Sequence, residues 1–270
     1  MRFTIVTPVY NGMRWLAECV DSIDAQRGAG VDVEHIVCDP GSKDGTREWL
    51  RERATRAHPP TLVFERDVGQ TDAIRRGFER ASGDVLGWLN ADDVLEPNAL
   101  ARADAALHDN PQCVGVTAAS VVIDGDGNVT GAIATPKDGS LAGLLASPQS
   151  LAQPSTFFRA SAYRSAGGID TRVSLAMDVA LWLALAKQAP FALLPHDVLS
   201  RFRIHEGARS VVGAAKTARE DLRLRREAGM SLLSPAGLSL MRYAYVQPPL
   251  ARLWRRVPAS LRDVLRPGHS

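Results

Sequence analysis

Val85-Leu86-Gly87-Trp88-Leu89-Asn90-Ala91-Asp92-Asp93 is the stretch from which the rest of the chain is read. An apolar run ends abruptly in two adjacent carboxylates. The run is short, and flanking turn residues make it a buried strand rather than a helix. Two neighbouring carboxylates at a strand end repel one another unless a cation stands beside them. Hard divalent ions such as Mg2+ or Mn2+ take oxygen ligands and bridge to phosphate oxygens. On its own, the pair reads more readily as a helix cap with a charge that suits the helix dipole. Its surroundings decide between the two.

Working backward, the same arrangement recurs. Phe3 to Thr7 is a β-rich run closed by Pro8, and Asn11-Gly12 turns the chain. Trp15, Leu16, Cys19, Val20 and Ile23 then follow at helical spacing. Val31 to Cys38 predicts a second strand and Leu62-Val63-Phe64 a third. A helix through Trp49 and Leu50, capped by Asp44 or Thr46, separates them. Ala73, Ile74, Gly77, Phe78 and Ala81 form one helical face, with Thr71 or Asp72 as the cap. Downstream of the acidic turn, Pro97 suits a first helical position. Strands alternating with helices over residues 1–110 predict an α/β fold with a parallel sheet and helices on both faces. Ligands in such sheets sit outside the carboxyl ends of the strands. The loops starting at Pro8, Asp39, Glu65 and Asn90 therefore share one rim.

The second half is less regular. Val114 to Ile123 and Val129 to Ile133 flank Asp124-Gly125-Asp126-Gly127-Asn128 and predict a hairpin. Thr156-Phe157-Phe158 reads as a strand, Asp178 to Lys187 as a helix, and Val198 to Ile204 as a last strand. From Ala214 the chain reads as helical and arginine-rich. Eleven of the 32 basic residues but four of the 30 acidic ones fall after residue 215, so this segment is positive on a nearly neutral chain. Tyr243, Tyr245, Arg252, Trp254, Arg255, Arg256 and Arg262 interleave aromatic and basic character, as suits an anionic membrane surface. The competing reading is a helical appendage packed on the core or on a second subunit. Nothing else supports nucleic-acid binding.

Each rim loop has its own chemistry. Asp39 is an acceptor-only carboxylate able to take a nucleobase N–H, and Gly41 and Gly45 permit close backbone approach. The loop Thr7-Pro8-Val9-Tyr10-Asn11-Gly12 can clasp a base or ribose. Asp67 and Gln70 lie on the third loop and can do the same. Composition excludes other classes. At 45% hydrophobic and 23% charged, the chain is globular rather than disordered. No apolar run reaches the ~20 residues of a membrane span. Cys19, Cys38 and Cys113 lack metal-ligand spacing and read as buried thiols in a reducing compartment. No leader precedes the first strand, so the expected location is cytoplasmic, with peripheral contact at the inner face of the membrane. A dinucleotide oxidoreductase needs G-x-G-x-x-G after strand one, where Pro8-Val9-Tyr10-Asn11-Gly12 stands instead.

Taken together, TPVYNG, DPGSKDGT, ERDVGQTDAIRRGFERASGDVLGWLNADD and QPSTFFRASAYRSAGGID resemble family 2 glycosyltransferases in order and spacing over residues 3–210. The resemblance implies a GT-A fold: a Rossmann-like, mostly parallel sheet with a C-terminal helical appendage. It divides the chain into a catalytic domain at 1–212 and a basic extension at 213–270. Within the domain, 1–110 would bind the nucleotide sugar and 111–212 the acceptor. It implies inverting, Mg2+- or Mn2+-dependent transfer of a single sugar from a UDP, GDP or dTDP donor to a hydroxyl acceptor, lipid-linked in many such enzymes. Asp39 and Asp67 match base-binding positions. Asp92 matches a ribose contact, Asp93 the direct metal ligand and Asp178 the general base. His205 matches a metal or diphosphate contact, and Arg209 can pair with phosphate. Gln153, Ser155 and Thr156 are expected near the acceptor. Met177 stands where the family often has a second acid, which keeps open a nucleotide-sugar binding module without catalysis. A Gln-x-x-Arg-Trp element, typical of processive synthases, is missing from the second half.

Overall fold

The computed structural model describes residues 1–208 and 213–246. Its first half is the predicted alternation. β1 (Arg2–Pro8), α1 (Met13–Asp24), β2 (Asp32–Cys38), α2 (Thr46–Arg53), β3 (Thr61–Val63), α3 (Gln70–Glu79) and β4 (Val85–Trp88) follow one another. The four strands pair in parallel in the order β3-β2-β1-β4.

The chain then changes habit without leaving the sheet. β5 (Val94–Leu95), α4 (Ala99–Asp109), β6 (Gly115–Ile123), β7 (Val129–Ile133), α5 (Leu141–Ala146), β8 (Thr156–Arg159), α6 (Ala160–Ser165), α7 (Met177–Ala186) and β9 (Phe191–Arg203) complete the core. The nine-stranded order is β3-β2-β1-β4-β8-β6-β9-β5, with the predicted hairpin strand β7 on β6. β8 is antiparallel to both β4 and β6, whereas β9 is parallel to β6. This α/β sheet is parallel where crossovers are helical and mixed beyond β4.

Side-chain alternation assigns helices to both faces. Phe3 and Ile5 of β1 pack with Cys19 and Ile23 of α1 and with Leu100, Ala103 and Leu107 of α4. Val6 points the other way, into a cluster with Ile74 and Phe78 of α3 and Trp182 of α7. β4 is buried on both sides and reads as a continuous apolar run. Gly77 brings α3 close to β1: a Cβ there would stand 2.5 Å from Val6 Cγ1. The three cysteines are buried and free, as expected.

Several caps differ from the sequence expectation. α3 starts at Gln70 behind Gly69, so Thr71 and Asp72 lie inside the helix. α4 starts at Ala99 behind Asn98, which takes left-handed backbone, so Pro97 is not its first residue. Gly45 precedes α2, and Asp44 instead accepts from the Thr46 N–H and from the Met13 N–H at the start of α1. The same placement of α4 removes the cap reading of Asp92 and Asp93. Cap preferences are shared by several neighbouring polar residues, and packing chooses among them.

After the core come α8 (Ala214–Glu227) and α9 (Pro235–Met241), followed by a wider turn at Arg242–Val246. Leu222, Met230, Ala236 and Leu240 form a small cluster of their own. Buried Arg225 donates to the carbonyls of Leu144 in α5 and of Ser147 just after it. The described part of the extension thus packs on the core. Tyr243 and Tyr245 are exposed. Arg252, Trp254, Arg255, Arg256 and Arg262 lie outside the described residues, as does Arg209. Among the described residues no helix is long and apolar enough to cross a membrane.

Candidate active site

The carboxyl ends of β1 and β4 open into a cleft of about 370 Å³. Pro8, Tyr10, Asn11, Gln70, Asn90, Asp92, Asp178 and His205 all line it, so residues from opposite ends of the chain meet here.

Its floor is a chain of amides. Leaving β4, the backbone turns tightly as Asp93 N–H donates to Asn90 O at 3.0 Å. Gln70 Nε2 donates to Asn90 Oδ1 at 2.6 Å, and Asn90 Nδ2 donates to Gln153 Oε1 at 3.1 Å. Gln153 Nε2 in turn reaches the Trp88 carbonyl at 2.6 Å. Three parts of the chain are thereby fixed to one another, which preorganises the site.

The two carboxylates of the acidic turn part company. Asp92 Oδ2 faces the cleft and lies 3.1 Å from His205 Nε2. Asp93 is 1% exposed and does not line the cleft. Its Oδ1 accepts from Arg203 N–H at 2.9 Å and its Oδ2 from Asn90 Nδ2 at 3.1 Å. Burial first, then the neighbouring Asp92, push its carboxyl well above the usual range. The carboxylate that reaches the cleft is that of Asp92, whereas that of Asp93, the expected direct ligand, is turned toward Asn90 and Arg203. Sequence cannot separate adjacent residues whose side chains leave a turn in different directions.

His205 is held from behind. Trp15 packs against it at a tilt of 40°, with ring centroids 4.3 Å apart, and anchors its own Nε1–H on the Gly125 carbonyl at 3.1 Å. Buried Arg203 donates to Asp92 O, Asp124 O and Glu18 Oε2. It joins the acidic turn, the β6–β7 hairpin turn and α1. Trp15 and Arg203 line the cleft but were not foreseen as site residues. Their only sequence signal was an aromatic at a helix start and a basic residue two before the histidine.

Away from the cleft, Asp39 and Asp67 sit at the neighbouring strand ends. Asp39 is fully buried, with Oδ1 accepting from Ser42 N–H at 2.9 Å and Ser42 Oγ–H at 2.6 Å. Arg47 Nε–H donates to its other oxygen. Burial acts to raise its pKa, but the Ser42 and Arg47 hydrogen bonds win and hold it below the usual value. Ser42 Oγ also accepts from Asn11 N–H at 2.8 Å, tying this loop to the cleft wall. Asp67 is half-buried, accepts from Gly69 N–H, and is pushed up by burial.

Asp178 lies in the first turn of α7 behind the cap residue Ala176 and lines the cleft. Burial raises its carboxyl to about 6, opposed by the Val179 N–H and reinforced by the nearby charge of Asp221 on α8. Of the residues expected near the acceptor, Gln153 lines the cleft. Ser155 and Thr156 are buried, and their hydroxyls are spent on Ala119 O, Ser200 Oγ, Thr117 Oγ1 and Ala152 O. Thr217 of α8 completes the lining, so the extension contributes to the wall.

The half of the sheet through β4 is parallel, and its carboxyl rim carries a polar cleft with an Asp–His pair and a separate aspartate, the place where α/β folds bind ligands. The family model Glycosyl transferase family 2 matches residues 4–153, and the chain belongs to that family. An uncharacterised glycosyltransferase of Nostoc sp. is 33% identical over 129 residues, 47% of this chain and 38% of that protein. An undecaprenyl-phosphate 4-deoxy-4-formamido-L-arabinose transferase of Pseudomonas savastanoi is 33% identical over 115 residues, 42% of this chain and 34% of its own. Chondroitin synthase of Escherichia coli is 27% identical over 198 residues, 70% of this chain and 27% of that one. The chain thus spans well under half the length of these curated relatives. Among solved structures, S. aureus TarS 1-349 with UDP-GlcNAc superposes with a TM-score of 0.67 at 13% identity, covering 96% of this chain and 77% of TarS. The Pyrobaculum calidifontis mannosyltransferase PcManGT with GDP-Man and Mn2+ gives 0.67 at 20% identity, covering 97% and 77%. These likenesses establish the GT-A fold.

Proposed function

We propose that the protein moves one sugar from a nucleoside-diphosphate sugar to a hydroxyl acceptor, with inversion at the anomeric carbon. The observation that carries this reading is that Asp92 paired with His205, and desolvated Asp178, face one cleft. The first pair suits a cation and the second a proton.

The donor set fits a divalent ion. Asp92 offers a carboxylate oxygen and His205 an imidazole nitrogen, 3.1 Å apart at the cleft wall. Among the described residues no group of three or more His, Cys, Asp or Glu gathers as a metal site. These two side chains would hold a divalent ion together with the phosphates of the bound nucleotide. When bound, the ion supplies charge neutralisation on the departing diphosphate. Asp93 keeps the turn closed through Asn90 and Arg203. We assign the nucleobase and ribose to the end formed by Pro8, Tyr10 and Asn11, backed by Asp39 and Asp67.

Asp178 accepts the proton of the acceptor hydroxyl at its carboxylate. A pKa of about 6 leaves it ionised at neutral pH yet basic enough for the task. No second carboxylate is needed to protonate the leaving group, because a diphosphate leaves as an anion. Gln153, Met177 and Thr217 then border the acceptor. Two relatives bear names of lipid-phosphate and polysaccharide enzymes, which supports a lipid-linked or growing-glycan acceptor in surface polysaccharide synthesis. The division at residue 212 and peripheral membrane contact through the basic tail belong to the same proposal.

The test is a thermal-shift and donor-hydrolysis panel of UDP-, GDP- and dTDP-sugars with and without Mn2+. A bound donor raises the melting temperature by mass action. One donor is expected to do so more strongly with the ion present and to be hydrolysed slowly. No ion-dependent shift with any donor would sink the reading.

A further inference from the structure

The segment 173–178, which delivers Asp178 to the cleft, is gripped from two sides. On the donor side, Thr71 Oγ1–H of α3 donates to the Val173 carbonyl at 3.1 Å. On the other, Glu220 Oε2 of α8 accepts from both Leu175 N–H and Ala176 N–H at 2.8 Å. The Ser174 N–H contributes as well. α7 has no side-chain cap of its own, since its cap residue is Ala176. Helix starts leave unsatisfied N–H groups that a carboxylate stabilises. Here a carboxylate from a helix of the C-terminal extension, more than forty positions away in sequence, takes the N–H of the cap residue Ala176 and of Leu175 just before it.

We infer that Glu220 is a positioning residue for the general base: it pins the backbone ahead of α7 so that the Asp178 carboxylate stays at the cleft. This rests on the reading of Asp178 as the base. Glu220 is half-buried, which disfavours its charge, yet the three backbone N–H groups hold it ionised below its usual pKa. It is thus anionic whenever Asp178 works. One position further on, Asp221 faces Asp178 and raises it, while Arg225, bound to Asp221, lowers it. Thr217, one turn earlier on the same helix, lines the cleft. α8 therefore presents two consecutive turns to the site: Thr217 to the wall, then Glu220 to the base's backbone and Asp221 to its charge. Without the Glu220 bonds, the N–H groups of Leu175 and Ala176 turn to water and the first turn of α7 frays. Asp178 then leaves its desolvated place and loses aim.

The experiment compares the unaltered chain with Glu220→Ala, Glu220→Gln and Leu240→Ala. Leu240 belongs to the α8–α9 cluster and touches neither the cleft nor segment 173–178. Carboxyl-carbon NMR, with the Asp178 signal assigned by its loss in Asp178→Asn, follows the titration. Amide exchange follows Leu175 and Ala176. In Glu220→Ala the Asp178 midpoint is expected to fall from about 6 towards the ~3.9 of a free aspartate. Protection of the two amides should drop at least ~10-fold. Hydrolysis of UDP-GlcNAc or GDP-mannose with Mn2+ should lose at least ~10-fold in kcat at unchanged KM. Glu220→Gln keeps an acceptor without the charge and should retain most of each property. Leu240→Ala should melt earlier and leave the midpoint and amides alone. An unchanged midpoint with unchanged amides in Glu220→Ala overturns the inference, as does an equal change in Leu240→Ala. If Asp178→Asn hydrolyses donor at the full rate, the base reading fails instead, while the NMR still decides the clamp.

Discussion

Asp39, at the end of β2, and Asp178, in the first turn of α7, are both drawn away from water, and burial works to raise both. At Asp39 the loop answers with Ser42 and Arg47, and the carboxyl ends below its usual value. At Asp178 the Val179 N–H is outweighed by burial, and the carboxyl ends near 6. The difference is a matter of donors within reach. A tight Gly- and Ser-bearing loop supplies several, whereas an apolar helix start supplies few. The first region holds a fixed anion that shapes a rim loop, and the second an adjustable one suited to proton transfer.

The strongest way to break this contrast is Asp178→Asn. Turnover should fall ~1,000-fold, within the range of a lost general base, while donor affinity by calorimetry stays put. The acid limb of the rate profile should lie near pH 6 and vanish in the variant. Stability gives an independent sign. A folded-state pKa above the unfolded one means Asp178 favours folding only while protonated. That contribution is full below the unfolded value and lost as pH rises through about 6. Asp178→Asn should therefore melt higher than the unaltered chain at pH 7, and a lower melting temperature there would contradict the raised pKa.

Asp92→Asn and His205→Ala test the cation end. Each should weaken the Mn2+ dependence of donor hydrolysis by ~10–100-fold, read as a rightward shift in an Mn2+ titration. Asp93→Asn should instead cost stability, because its bond from the Arg203 N–H is structural. If Asp93→Asn alone shifts the Mn2+ curve, the roles within the turn are reversed.

Asp39→Asn should have a smaller effect, ~10-fold on donor affinity, with ~1–3 kcal/mol lost as a charged hydrogen-bond acceptor disappears. The folded pKa of Asp39 is depressed, so its stabilisation is present above the unfolded value and fades as pH falls through the folded one. Acid melts of the two proteins should converge below that window. Gly77→Ala touches only the support. Its Cβ would press on Val6 at 2.5 Å, costing ~1–3 kcal/mol by overpacking, partly offset by ~1 kcal/mol of helix propensity. Chemical denaturation should show the loss, with donor affinity unchanged.

Much of the donor half was legible because its signals are local. β1, β2 and β4 show as apolar runs ended by turn residues, and the crossover helices show as faces of period 3.6. That pattern requires a parallel sheet and a shared rim, and it placed Pro8, Asn11, Gln70 and Asn90 at one cleft. Asp39 and Asp67 came out beside the cleft rather than in it, since sequence gives a loop's position but not which way its carboxylate turns. Pro97 misled for a related reason: its fixed φ suits a helix start, yet Asn98 supplied the cap.

Sequence by itself determined the α/β class, the rim of polar loops and the candidate acids, because apolar periodicity and turn chemistry are written into neighbouring residues. Only the tertiary structure decided which acid of the Asp92–Asp93 turn reaches the cleft, that Trp15 packs behind His205, and that Glu220 of the extension grips the backbone before Asp178. Each depends on contacts between residues distant in the chain. No local pattern encodes such contacts; packing creates them when a buried donor or acceptor must find its partner.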